Sequence, residues 1–157
     1  MSCINFIDIA FLKWKDIKKN RLVYTRQKTK ELFNMELLDP ANEILEHYKN
    51  LYYINQETYI FPILSERHTT PNMLHNRKEK MIRKINKDLK EIAILTGIES
   101  ELTTYVARHS YATILKKSGI ATAIISEAMG HDSEKTTKIY LESFENNVFD
   151  EASKFLL

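Results

Sequence analysis

The sequence predicts an α+β fold that is predominantly α-helical with a small three-stranded antiparallel sheet, and three observations carry that prediction. Short alternating runs of side chains fall before residue 65. The half after residue 77 is a succession of helical stretches. The three glycines, Gly97, Gly119 and Gly130, each follow such a stretch, where a helix C-terminus favours glycine.

The elements follow in order. Ile4, Ile7, Phe11 and Trp14 lie at helical spacing, so a helix is expected to be running by residue 4. Residues 21–37 read as a β-hairpin. Leu22, Tyr24 and Arg26 alternate with Val23 and Thr25, a polar turn follows at Lys28-Thr29-Lys30, and Leu32, Phe33 and Met35 return. Asp39-Pro40 opens a helix to about residue 53, with Pro40 suited to its first turn. Tyr59 to Leu64 is expected to be the third strand, with Pro62 placing it at an edge or at its end. Residues 65–76 are polar and read as loop. Lys78 to Leu95 forms a long amphipathic helix with Met81, Ile85, Leu89, Ile92 and Leu95 on one stripe. Phe144 to Leu157 carries the spacing of a further amphipathic helix packing on its own core.

The 157 residues suit one domain, and a hydrophobic fraction of 43% allows a core. The abrupt start predicts one domain over 1–157 whose upstream domain is absent. Net charge is only +2, from 23 basic and 21 acidic residues, which by itself points to no partner. The single cysteine, Cys3, excludes an internal disulfide, and the five histidines show no metal-ligand spacing, so neither metal nor cofactor is expected. The longest stretch without a charge, Ser118 to Ser126, is far short of the roughly 18 apolar residues of a membrane span. No signal peptide is visible, and a cytoplasmic location follows.

Three segments carry chemistry: Ala107-Arg108-His109-Ser110-Tyr111-Ala112-Thr113, Met129-Gly130-His131, and Thr136-Thr137-Lys138-Ile139-Tyr140. Taken singly they mean little, since a lone arginine is usually an ion-pair residue and a tyrosine beside Ile139 and Leu141 is usually core or rim. Together they meet one demand. Attack on a phosphodiester needs a nucleophile, donors for the non-bridging oxygens and an acid for the leaving oxygen. Arginine offers a fixed fork of donors, histidine a donor or a proton, and tyrosine a stable phosphate ester.

These elements, in this order and spacing, resemble the C-terminal signature of the tyrosine recombinases (phage-type integrases), with details of the branch found on conjugative transposons. The match is specific over the last third of the chain. Leu12-Lys13-Trp14-Lys15-Asp16-Ile17 and the hairpin extend it more weakly. The resemblance implies a tyrosine recombinase catalytic-domain fold and a DNA strand transferase that cuts and rejoins DNA through a 3′-phosphotyrosyl link. It implies Tyr140 as nucleophile, Arg108 and His131 gripping the phosphate, and Lys28 protonating the leaving 5′-oxygen. It also implies double-stranded DNA as partner, a tetramer on that DNA for the full-length protein, and a bacterial source.

Two positions depart from the family pattern. Tyr105 stands where the family usually has histidine, and its hydroxyl can still donate to phosphate. Asn5 stands where the family has its first arginine, three residues before the acidic Asp8. Asp8 is read as structural support. Asn5 keeps open a DNA-binding module of the same fold with impaired catalysis. A type IB topoisomerase shares the active-site plan, but short loops argue against it. The basic residues Lys78, Lys80, Arg83, Lys84, Lys87 and Lys90 could contact phosphates, although Glu79, Asp88 and Glu91 fit a solvated surface equally well.

Overall fold

The computed structural model describes residues 4–51, 54–131, 133–139 and 141. Tyr140 and the expected helix from Phe144 to Leu157 lie outside the described residues. The chain forms two compact units, residues 1–107 and 108–157.

The first unit opens with α1 (Phe6–Phe11), shorter than the sequence predicts. Asn5 is its N-cap residue, with extended backbone and no side-chain cap bond. Leu12 turns extended, and Trp14 falls in a single 3₁₀ turn, Trp14–Asp16, closed by Asp16 Oδ2 accepting from the Lys13 N–H at 2.8 Å. Trp14 therefore leaves the helical row that its spacing suggested.

The sheet is antiparallel, in the order β1 (Ile17–Lys18), β2 (Arg21–Thr25), β3 (Leu32–Glu36). Its register pairs Ile17 with Leu22 and Tyr24 with Phe33. The alternation in β2 turns Leu22 and Tyr24 into a cluster with Leu12, Leu37 and Ile60. Burying each such side chain contributes about 1.5–3 kcal/mol.

The class and the hairpin agree with the sequence, but the third strand is not Tyr59 to Leu64. That segment touches residues 12–15 through one isolated bridge, Lys13 with Tyr59, and bonds such as Ile60 N–H to Leu12 C=O at 2.9 Å. Pro62 has no N–H to extend the pairing. Ile60, Ile63 and Leu64 are buried in a pattern that is not alternating, so the apolar run fills the core as a bent loop. The third strand is β1, reached through Lys19 and Asn20, whose φ values of 47° and 61° make the tight turn.

The helix α2 runs Asp39–Leu51. The next helix, α3 (Pro71–Thr96), starts seven residues before the expected Lys78, inside the segment read as loop. Thr70 caps it by accepting from the Met73 N–H, and Pro71 occupies the first position, where a missing N–H costs nothing. Its buried side runs along the i, i+4 row from Met81 through Ile85 and Leu89 to Ala93, so Ile92 and Leu95 stay exposed. Gly97 ends it with φ +69°. The helix α4 (Thr104–Lys117) begins in this unit, and Asn86 of α3 accepts from the Thr104 N–H at 3.0 Å.

The second unit holds the rest of α4, then α5 (Thr122–Met129), then helical residues 134–139. Ala112, Ile125, Met129 and Leu141 form its core, with Tyr111 and Leu115 against it. No helix among the described residues is long and apolar enough to cross a membrane.

Candidate active site

In the second unit, α4 turns Arg108 inward, leaving it 8% exposed. The Arg108 Nη2 group donates to the Met129 carbonyl at 2.5 Å. Met129 is the last residue of α5, and a helix C-terminus carries partial negative charge. A guanidinium is therefore well placed there, and a planar fork can serve this carbonyl while presenting further N–H groups.

The end of α5 is a Schellman motif. Gly130 adopts the left-handed conformation and its N–H bonds Glu127 C=O at 2.8 Å; the His131 N–H bonds Ser126 C=O at 3.0 Å. This fixes the His131 backbone two residues from the carbonyl that Arg108 holds. The His131 ring is half-buried, and its Nδ1 lies 2.7 Å from Thr137 Oγ1, a hydroxyl that is fully buried. Arg108 thus holds the last carbonyl of α5, and His131, two residues on, pairs with Thr137. Tyr140 lies outside the described residues. His109, next to Arg108, has its pKa lowered below the usual imidazole value, first by burial and then by the Arg108 charge.

In the first unit, the hairpin turn places Lys28 in solvent, exposed as is Lys30. The turn is anchored by a buried group that the sequence only half reveals. Asp8 is 3% exposed, Arg26 is 4% exposed, and Asp8 Oδ2 lies 3.5 Å from Arg26 Nε. Asp8 Oδ1 accepts from the Gln27 N–H at 2.8 Å, one residue before Lys28. Arg26 also lies 5.8 Å from the centre of the Phe33 ring. The cation beside Asp8 is thus Arg26, which belongs to the hairpin. Asn5 is half-buried at the start of α1, and Tyr105 is 57% exposed on α4.

Two residues outside the predicted set, Thr137 and Arg26, hold these groups in place. The signal for Arg26 was its position: it continues the Leu22, Tyr24 alternation onto the core side, where a charge requires a partner. The signal for Thr137 was only its place in the Thr136-Thr137 pair. Several lysines of α3 are matched by acids on the surface, with Lys84–Asp88 at 3.3 Å, Lys87–Glu91 at 4.0 Å and Lys90–Glu101 at 3.0 Å. Among the described residues no group of three or more His, Cys, Asp and Glu is arranged to hold a metal ion.

The model of the phage integrase family matches residues 6–147. A tyrosine recombinase XerD of Staphylococcus saprophyticus is 31% identical over 109 residues, covering 68% of this chain and 36% of that protein. A tyrosine recombinase of Thermosipho africanus is 35% identical over 66 residues, which are 42% of this chain and 23% of that protein. The matched part is well under two thirds of either relative. Among solved structures, XerA recombinase superposes with a TM-score of 0.65 at 20% identity, over 96% of this chain and 52% of that one. XerH recombinase bound to its difH substrate superposes with a TM-score of 0.57 at 20% identity, over 86% of this chain and 41% of that one. At such identities these two likenesses speak to the fold.

Proposed function

The chain belongs to the phage integrase family, and from that premise we propose that it is the catalytic part of a site-specific recombinase that cuts and rejoins double-stranded DNA through a 3′-phosphotyrosyl intermediate. Tyr140 attacks the scissile phosphorus as its phenolic proton passes to water. The bond to the 5′-oxygen breaks, and that oxygen takes a proton from Lys28. Arg108 and His131 donate to the non-bridging oxygens, where negative charge gathers in the transition state. Tyr105 adds a neutral donor in place of a histidine. The ester to tyrosine keeps the strand activated for rejoining without an external energy source.

The observation that carries this reading is the bond from Arg108 to the Met129 carbonyl, next to the helix end that fixes His131. It fixes Arg108 at the helix end that His131 follows, and donors fixed in advance are what electrostatic preorganisation requires. The XerH site-specific recombinase bound to its difH substrate, as a fold neighbour, is in keeping with duplex DNA as the partner. Tetramer formation on DNA belongs to the same proposal, for the whole protein.

One observation favours a second reading, a DNA-binding module of impaired chemistry: Asn5 carries no charge where the family places its first arginine. A nicked suicide duplex separates the two. The expected result is a covalent protein–DNA adduct with the unmodified protein and none with Tyr140→Phe, whose DNA binding stays close to normal because only the attacking oxygen is gone. An adduct that persists in Tyr140→Phe assigns the attack to another residue. Binding without any adduct in the unmodified protein establishes the second reading.

A further inference from the structure

Thr137 is 0% exposed, so no water reaches its hydroxyl. A buried hydroxyl needs an acceptor for its hydrogen. Among the described residues the Thr137 hydroxyl has one hydrogen-bond partner, His131 Nδ1 at 2.7 Å. The position invites a competing bond to the carbonyl four residues earlier, that of Ser133. Among the described residues that carbonyl is engaged by the Thr136 N–H at 3.1 Å and receives no bond from Thr137.

The distance alone allows either direction, and burial decides between them. If Nδ1 carried the proton, it would donate to Oγ1, and the hydroxyl hydrogen would be left without an acceptor among the described residues. If the hydroxyl donates, Nδ1 is bare and both groups are satisfied. A neutral imidazole with a bare Nδ1 carries its proton on Nε2.

We infer that Thr137 donates to His131 Nδ1 and holds the neutral ring in the Nε2–H form, which makes Thr137 a positioning residue for His131. The inference rests on the proposed role of His131 at the phosphate. A histidine in this form is a hydrogen-bond donor at Nε2 without a net charge. His131 then serves a developing oxyanion as a fixed dipole, and its backbone is set by the Schellman motif while its ring is set by Thr137. The other tautomer would present a lone pair at Nε2, which repels a phosphate oxygen.

The test is ¹⁵N NMR of the histidine side chains in the 157-residue chain at about pH 8, where an unperturbed imidazole of pKa about 6.5 is neutral. The His131 signals are assigned by their loss in His131→Gln. The expected result is a protonated Nε2 and an unprotonated Nδ1. Thr137→Val, nearly the same shape without the hydroxyl, should abolish that preference, and Thr137→Ser should retain it. On nicked duplex, Thr137→Val should slow adduct formation by up to about 10²-fold, the scale of one oxyanion donor, with DNA affinity unchanged and Thr137→Ser near normal. A purely packing role for Thr137 would leave the ¹⁵N pattern of Thr137→Val as it was, and that outcome overturns the inference. So does a protonated Nδ1 in the unmodified protein, a measurement that needs no variant to fold. Because the tautomer is read without DNA, it stands or falls separately from recombinase activity.

Discussion

Replacing Asp8 by alanine removes the carboxylate from beside a buried guanidinium and takes the acceptor from the Gln27 N–H. Both groups are almost entirely out of water, at 3% and 4% exposure, and their ionic atoms lie 3.5 Å apart. Breaking a buried pair from one side costs about 3–5 kcal/mol, because the remaining charge stays buried. For a chain of this size each kcal/mol moves the melting temperature by roughly 2–4 °C, so Asp8→Ala should lower it by about 6–20 °C. The assay is thermal melting followed by circular dichroism, with a double-mutant cycle. The pair of changes Asp8→Leu and Arg26→Met should cost less than the sum of the single changes, with a coupling on the order of 1–3 kcal/mol. Asp8→Asn keeps an acceptor for the Gln27 N–H and should fall between the unmodified protein and Asp8→Ala. A loss within about 0.5 kcal/mol for Asp8→Ala, the size of an ordinary surface change, refutes the reasoning. So does strict additivity in the cycle, which would mean that Arg26 is held by other neighbours.

Asn5→Arg should fold normally, since the Asn5 side chain makes no cap bond. It should raise adduct yield by much less than the about 10²-fold that one oxyanion donor is worth, because the Asp8 oxygens are already taken by Arg26 and Gln27; a full 10²-fold gain would reveal an unfilled cation site. The chain alone should bind duplex DNA in the non-specific range, roughly 10⁻⁴ to 10⁻⁶ M, and lose affinity steeply as salt rises, as phosphate contacts release counterions. Nanomolar, salt-insensitive binding in a fluorescence-anisotropy titration contradicts that. Burial and the Arg108 charge depress the His109 pKa in the folded chain, so the unfolded chain binds the extra proton first. The stability involved is present above the unfolded value of about 6.5 and is lost as pH falls through the lower folded value. Melting at pH 7.5 and 5 should differ less in His109→Gln than in the unmodified protein, and equal differences refute the assignment.

The parts of the fold that the sequence made legible are those where one local rule acts without competition. The hairpin showed because Leu22 and Tyr24 alternate with polar neighbours and a polar turn separates the two runs. The helix ends showed because left-handed caps select glycine, at Gly97 and Gly130 above all. The third strand was hidden because β1 is two residues long and turns through Lys19-Asn20, with neither glycine nor an Asn-Gly pair to mark it. The run Tyr59 to Leu64 looked like a strand because its composition suits one. Pro62 and the non-alternating burial of Ile60, Ile63 and Leu64 make it a core-filling loop. The early start of α3 was written in Thr70-Pro71, a cap and a first-turn proline within a segment whose polarity read as loop.

The candidate site divides along the same line. Arg108 and His131 were readable from motif spacing, whereas the residues that hold them still were not, since a hydrogen bond between side chains leaves no periodic trace. Each supporting contact answers a local deficit. The last carbonyl of α5 lies at the negative end of the helix, and Arg108 supplies a charged donor. The Arg26 guanidinium lies on the core side of the hairpin, and Asp8 supplies a counter-charge. The Thr137 hydroxyl is closed off from water, and His131 supplies an acceptor. The groups read as catalytic are thereby also structural partners of the helix end and of the core. Loosening His131 leaves the buried Thr137 hydroxyl without its partner among the described residues, at about 1–3 kcal/mol. Orientation is secured by folding itself, so under the proposed function less of it has to come from DNA binding.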